Sequence, residues 1–297
     1  MHSGVVSFIG KPNVGKSSLV NALMGQKLLI VSDKPQTTWH RVNCVWTQGE
    51  TQVVFSDTPG LHKPLDTMGR FMVKAALGAL EGVDLVLWVM DAARGISGAE
   101  DYISRNVSGY HGPLFLVLNK IDLVEPSLVQ QRKQQAMERF SPTQVLLTST
   151  RTGEGMEELR QGILEKIPSG PFLYDPDTLV DKSARFLVAE IIREKVFWFT
   201  QQELPYQTAV HVEHLSTGPD GKIQVRAEIF VNRKSQKGML IGKQAQLIRK
   251  IRLAAQKGIQ YLFDQPCKLE LYVRVKERWT EKKGILQTDL YFDDDLG

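Results

Sequence analysis

The sequence predicts two domains of different class: an α/β domain on a mostly parallel sheet flanked by helices, then a smaller α+β domain. Three observations carry this. Five apolar runs between residues 5 and 149 end in polar residues and alternate with longer helical patterns, as strands buried on both faces require. From residue 183 the order becomes helix, strand, strand, helix, helix, strand, and the strands alternate in polarity. At 297 residues the chain is long enough for two cores.

In order, the buried strands are expected at 5–10, 52–57, 84–91, 114–120 and 144–149. A hairpin signal at Gln48-Gly49 makes one edge strand antiparallel. The Pro/Gly-containing stretch KIPSGPFLYDPD (166–177) reads as a linker, giving domains at 1–170 and 183–297 joined by 171–182. The second domain opens with an amphipathic helix over 183–200. Strands at 206–215 and 222–232 flank the GPDG turn, a helical region is broken near Gly242, and a last strand covers 267–277. These three strands form one sheet.

Composition is that of an ordinary soluble protein, 42% hydrophobic and 24% charged. No apolar run approaches the ~20 residues of a membrane helix, and the start lacks signal-peptide anatomy. Cys44 and Cys267 cannot build a disulfide framework or metal cluster. A cytoplasmic protein is the plain reading. Charge is uneven: residues 1–180 hold 17 basic against 18 acidic side chains, residues 181–297 hold 20 against 15. From Lys222 to Arg252 nine basic residues meet one acid, Glu228, and the tail carries an Asp293–Asp295 run. From charge alone this is a solvated face or a polyanion-binding one.

Gly10-Lys11-Pro12-Asn13-Val14-Gly15-Lys16-Ser17 fits the P-loop pattern, after a strand and before a helix that begins near Ser18. Such a loop curls backbone N–H groups around phosphate oxygens, and the helix N-terminus faces the anion. Lys16 reaches the β- and γ-phosphates and Ser17 ligates Mg²⁺. Asp57-Thr58-Pro59-Gly60 ends a strand forty residues on; Asp57 can hold a magnesium water and Gly60 can offer its N–H to the γ-phosphate. Thr38 is the expected second metal ligand, with Thr37 the rival.

Asn119-Lys120-Ile121-Asp122 selects the base. Asp122 can accept from guanine N1–H and N2–H₂, a donor pair adenine lacks, so ATP would leave a carboxylate unpaired. Lys120 can lie along the base plane, and Asn119 ties this loop to the P-loop. Ser149, Thr150 and Arg151 end the next strand, where the Thr150 N–H can meet guanine O6. A P-loop kinase or ATPase is thereby disfavoured.

In the second half, Ile241-Gly242-Lys243-Gln244-Ala245 resembles the loop of RNA-binding KH domains, in which a nucleic-acid backbone passes close over glycine. Ala245 replaces the second glycine; alanine suits a helix start, so the fold is expected to survive. GKPNVGKSSLVNALMGQKLLIVSDKPQTT, DTPGLHKP, NKID, AEIIREKVFWFTQQELPYQTAVHVE, QKGMLIGK and LELYVRVKERW together resemble the Era family over practically the whole chain. The departures are Trp39, where the family usually has arginine, Thr150 for alanine, and Ala245.

The resemblance implies an α/β P-loop GTPase domain followed by a type II KH domain. It implies GTP/GDP and Mg²⁺ as ligands, and binding of the 16S ribosomal RNA 3′ end during 30S subunit maturation, with GTP favouring RNA capture. Ile241 to Ala245 would meet single-stranded RNA, and Lys234, Lys237, Arg249, Lys250 and Arg252 its phosphates. A monomer is implied, cytoplasmic, with peripheral association at the inner face of the membrane left open.

The position after Gly60, where well-studied GTPases keep the water-orienting glutamine, holds Leu61. Leu61 is expected to point away from the nucleotide, leaving backbone groups to place the water. Lys16, Thr38, Gly60 and Asn13 are the catalytic candidates. In related GTPases a residue like Asn13 helps hold K⁺ where an arginine finger would sit; here that places K⁺ between Asn13 and the 31–38 loop. A GTP-gated RNA module in which slow hydrolysis times release, and a switch acting on a protein partner, remain rival readings.

Overall fold

The computed structural model describes residues 1–64, 67–277 and 279; the Asp293–Asp295 run lies outside the described residues. The chain divides into two compact units, Met1–Asp181 and Lys182–Gly297.

The first unit is a six-stranded sheet. Its strands are β1 (His2–Gly10), β2 (Val42–Gln48), β3 (Thr51–Asp57), β4 (Leu85–Asp91), β5 (Leu114–Asn119) and β6 (Gln144–Thr148), in spatial order β2-β3-β1-β4-β5-β6. Only β2, at the edge and across the Gln48-Gly49 turn from β3, runs antiparallel. Every residue of β4 is buried, which is why this strand reads as an unbroken apolar run. The helices α1 (Lys16–Met24), α2 (Thr67–Gly78), α3 (Gly98–Val107), α4 (Pro126–Phe140) and α5 (Met156–Leu164) link the strands. Parallel strands put their C-terminal ends on one side, so the turns after β1, β3, β4, β5 and β6 share one edge.

Residues 171–181, expected as a linker, run along this unit. Gln52, fully buried in β3, accepts from the N–H groups of Leu173 and Tyr174 and donates to the Tyr174 carbonyl. Asn43 is clasped by Asp181 at 2.8 and 2.9 Å, and Val180 bridges to Cys44. The compact unit therefore extends to Asp181.

The second unit holds α6 (Ala184–Phe199), β7 (Thr208–Thr217), β8 (Ile223–Val231), α7 (Lys234–Ile241), α8 (Gln246–Phe263) and β9 (Cys267–Val275). β8 is central, antiparallel to β7 and parallel to β9. Odd-numbered residues of β8 and β9 turn inward with the apolar stripe of α8, so Val225, Ala227 and Ile229 join Ile192, Val196, Ile251, Ala255 and Ile259 in one core. At about 25 cal/mol per Å² each buried valine or isoleucine among them contributes roughly 1.5–3 kcal/mol, and each alanine less.

Candidate nucleotide and nucleic-acid sites

The first site assembles at the strand-end edge. After β1 the chain turns through Gly10–Gly15 into α1. Gly15 sits at φ 102°, and a Cβ there would lie 2.2 Å from Asn119 Nδ2; only glycine allows this approach. Asn119 uses it to donate to the Val14 carbonyl at 2.9 Å, joining the ends of β1 and β5. Lys16 lies back over the loop, donating to the carbonyls of Gly10 and Lys11 at 3.3 and 3.1 Å. Burial lowers its ammonium to about 8, partly opposed by the Asp57 charge.

Ser17, Thr38 and Asp57 converge. Ser17 Oγ donates to Asp57 Oδ2 at 2.6 Å, and Thr38 Oγ1 lies 3.1 Å from Ser17 Oγ and 3.4 Å from Asp57 Oδ2. Asp57 Oδ1 is buried without a hydrogen-bond partner in the described residues. Burial raises the Asp57 pKa, against the pull of Lys16, Ser17 and Thr38. An orphaned carboxylate oxygen beside two hydroxyls is a hard, all-oxygen donor set that fits Mg²⁺. Thr37, the rival ligand, instead donates to the Lys34 carbonyl.

Ser17 and Thr38, with Asp57 buried behind them, line a cavity of about 230 Å³ that also takes in Pro12, Asn13, Lys16, Ser18, Gly60 and Lys120. Gly60 is pressed against Pro12: a Cβ would lie 2.6 Å from the Pro12 nitrogen. Leu61 N–H donates to the Gly10 carbonyl at 2.9 Å while its side chain is fully buried with Ile9, Val73 and Trp88. The Asn13 amide donates to the Asp33 carbonyl at 2.6 Å, so this side chain touches the 31–38 loop.

Not every predicted residue turns its side chain to the cavity. Lys11 is taken by the buried Glu100 of α3 at 2.5 Å. Val14 is core, and Thr58 donates to the Phe8 carbonyl. Asp122 follows the end of β5, where Ser149 Oγ donates to one carboxylate oxygen at 2.6 Å and Arg151 pairs with the other at 2.8 Å. Asp91, which motif reading missed, accepts from Lys120 Nζ at 2.9 Å and caps the turn after β4 through the N–H groups of Ala93 and Arg94. Lys120 also donates to the Asn13 carbonyl at 2.5 Å. An acid closing the apolar run of β4 was the available signal. Gln36 and His62 were also missed; their signal was their adjacency to Thr38 and Leu61.

In the second unit α7 stops at Gly242, φ 73° and ψ 175°, a conformation open to glycine alone. Gln244 (φ 51°) and Ala245 (φ 58°) follow in the left-handed region before α8. Ala245 is thus no ordinary helix start, contrary to the sequence expectation: the tight loop forces it into a backbone conformation that costs a Cβ-bearing residue about 1–2 kcal/mol. Lys243, Gln244 and Ala245 are exposed, as are Lys234 and Arg249. Lys237, Ile241 and Ala245 line a groove with Tyr272 and Arg274 of β9. Lys250 lies over the Phe199 ring of α6, and Arg252 donates to Gln256 one turn along α8.

Comparison with known proteins settles the family. Residues 5–120 match a family model described as a 50S ribosome-binding GTPase, and residues 203–280 match one described as a KH domain. The chain is 43% identical to GTPase Era of Thermotoga maritima over 297 residues, covering 99% of this chain and 98% of that one. The chain belongs to the Era GTPase family. GTPase Era of Geobacter metallireducens is 41% identical over 286 residues, 96% of each. A crystal structure of Era in complex with MgGDPNP and nucleotides 1506–1542 of 16S ribosomal RNA superposes with a TM-score of 0.92 at 33% identity, covering 96% of this chain and 97% of that one. Aquifex aeolicus Era bound to GDP·AlF4−, a point variant, gives 0.91 at 33% identity over 96% and 98%. The Era architecture, a P-loop GTPase domain followed by a KH domain, is that of this chain.

Proposed function

We propose that this protein binds GTP, hydrolyses it to GDP and phosphate, and holds the 3′ end of 16S ribosomal RNA on its second unit during 30S subunit maturation. Nucleotide state sets that hold. The observation that carries the reading is the Asn119–Val14 hydrogen bond, which makes the phosphate loop and the base-selecting strand end one site. The Era crystal structure that matches over 96% of this chain holds both MgGDPNP and nucleotides 1506–1542 of 16S ribosomal RNA. That favours the small subunit over the large one named by a model matching only residues 5–120.

The P-loop N–H groups and Lys16 take the β- and γ-phosphates, Gly60 N–H meets the γ-phosphate, and Asp122 accepts from guanine, displacing Arg151 from its outer oxygen. Ser149 keeps the carboxylate aimed, and Lys120 lies along the base, fixed by Asp91. Ser17, Thr38 and Asp57 would hold Mg²⁺, which when bound neutralises phosphate charge. Asn13 and carbonyls of the 31–38 loop would hold K⁺ near the β–γ bridge, where a cation favours charge developing on the leaving group. Without a glutamine at 61 the bare rate is slow, on the order of 10⁻³–10⁻⁴ s⁻¹. Ile241 to Ala245 carry the RNA backbone, with Lys234, Lys237 and Arg249 at its phosphates; Lys250 and Arg252 stand further along α8. We place the protein in the cytoplasm as a monomer. The same basic face gives it an electrostatic means of meeting an anionic membrane surface peripherally.

Filter binding of a 16S 3′-end oligonucleotide in the presence of a GTP analogue or GDP tests the central coupling. Tighter capture with the analogue is expected, lost in Gly242→Asp while GTP affinity stays unchanged. Equal capture with both nucleotides, or capture surviving Gly242→Asp, would overturn it. Turnover in KCl against NaCl, with Asn13→Ala, tests the cation: equal rates in both salts remove it from the account.

A further inference from the structure

Leu61 cannot orient water, and its burial leaves no room for it to turn toward the cavity. A glutamine does line that cavity, beside Gly60, Lys16 and Thr38: Gln36. Its backbone is held in the left-handed region, φ 57°, an unfavourable conformation for a residue with a Cβ. The buried indole of Trp39 maintains it there, donating Nε1–H to the Gln36 carbonyl at 2.9 Å.

The side chain is fixed by His62. His62 Nδ1 lies 2.8 Å from the Gly60 carbonyl, which can only accept, so Nδ1 carries the hydrogen. The other ring nitrogen, Nε2, is then the acceptor, and Gln36 Nε2 donates to it at 3.0 Å. The carboxamide is thereby oriented, and Gln36 Oε1 is an acceptor with no partner among the described residues. A chain of hydrogen bonds, Trp39 to Gln36 to His62 to Gly60, thus ties the segment that supplies Thr38 to the segment that supplies the Gly60 N–H.

We propose that Gln36 is the catalytic residue that orients the attacking water, with His62 as its positioning residue. This rests on the GTPase reading above. The water donates one O–H to Gln36 Oε1 and directs its lone pair at the γ-phosphorus. A new P–O bond forms as the bond to the β–γ bridging oxygen breaks. That bond's electron pair leaves with GDP, and the water's proton passes to a γ-phosphate oxygen. Gln36 gains and loses nothing.

Single-turnover hydrolysis is measured alongside affinity for a non-hydrolysable GTP analogue and for GDP with aluminium fluoride. Gln36→Ala is expected to lower the hydrolysis rate about 10- to 100-fold, in the range for loss of one oriented polar group. Its affinity for the ground-state analogue stays within about threefold, while the aluminium fluoride complex weakens by the same factor as the rate. Gln36→Glu, which keeps an acceptor oxygen, recovers part of the loss, and His62→Ala falls between. A Gln36→Ala rate within twofold of the unaltered protein, or a rate loss matched by loss of ground-state affinity, would overturn the assignment. No turnover by the unaltered protein would remove this inference together with the GTPase reading.

Discussion

Leu61 and Gly10 are joined backbone to backbone: the Leu61 N–H meets the Gly10 carbonyl at 2.9 Å, and the leucine side chain is fully enclosed. The segment after Asp57 is therefore anchored to the P-loop by its main chain and to the core by its side chain. Installing the usual glutamine puts a carboxamide in an apolar cluster, at a cost of about 1–3 kcal/mol if its groups go unpaired. Leu61→Gln is expected to lower the denaturant midpoint and leave GTP turnover no faster. A faster enzyme of unchanged stability would show that position 61 can face the nucleotide.

Asp122 is 8% exposed at its side chain, with one oxygen on Ser149 and the other on Arg151. Replacing it by asparagine presents an N–H₂ to a guanine edge that itself donates. Two charge-assisted bonds are lost, about 3 kcal/mol or a 100-fold weaker GDP complex. Xanthosine diphosphate, which accepts at that edge, should then bind better than GDP. Competition binding with both nucleotides reads the switch.

Asp91 holds Lys120 by an ion pair at 2.9 Å on a nearly buried carboxylate. Asp91→Ala leaves that ammonium with the Asn13 carbonyl alone. GDP affinity should fall about tenfold, and the Asp91→Ala/Lys120→Ala double variant should be no weaker than Lys120→Ala, since the acid acts through the lysine. Additive losses would show that Asp91 acts by a route other than Lys120, either the turn it caps after β4 or the ligand itself.

Ala245 occupies a left-handed conformation that glycine adopts at no steric cost. Relief of that strain outweighs the extra chain entropy of glycine. Ala245→Gly is expected to raise stability by about 0.5–1 kcal/mol and to tighten RNA capture by opening the loop surface. Thermal unfolding and filter binding measure the two effects separately.

Both thiols are enclosed, and burial raises them, Cys267 to about 11 and Cys44 further still, with Asp57 and Asp181 adding to the effect. Few thiolates exist near neutral pH, and these are out of reach. A thiol-specific disulfide reagent should titrate neither cysteine in the native protein and both after denaturation.

What the sequence made legible were features with local causes. The unbroken apolar run of β4 announces a strand buried on both faces, and Gly15 and Asn119 announce a joint that only glycine permits. Contacts set by distant segments were not legible. Gln36 and His62 lie 26 residues apart, and Asp91 and Lys120 lie 29 apart; neither pair belongs to a local pattern. Gln52 carried a muted signal, a polar side chain in an apolar strand, whose reason is the 171–181 segment more than a hundred residues away. Ala245 misled because helix propensity describes a helical backbone, and the loop places this residue outside it.

The most direct measurement is a calorimetric titration of one preparation with GDP and with ADP in magnesium buffer. A site that hydrogen-bonds the guanine edge through a held carboxylate should reject adenine by about 10³-fold or more. Affinities within tenfold of one another would contradict the assignment of Asp122 and the P-loop to a single guanine nucleotide.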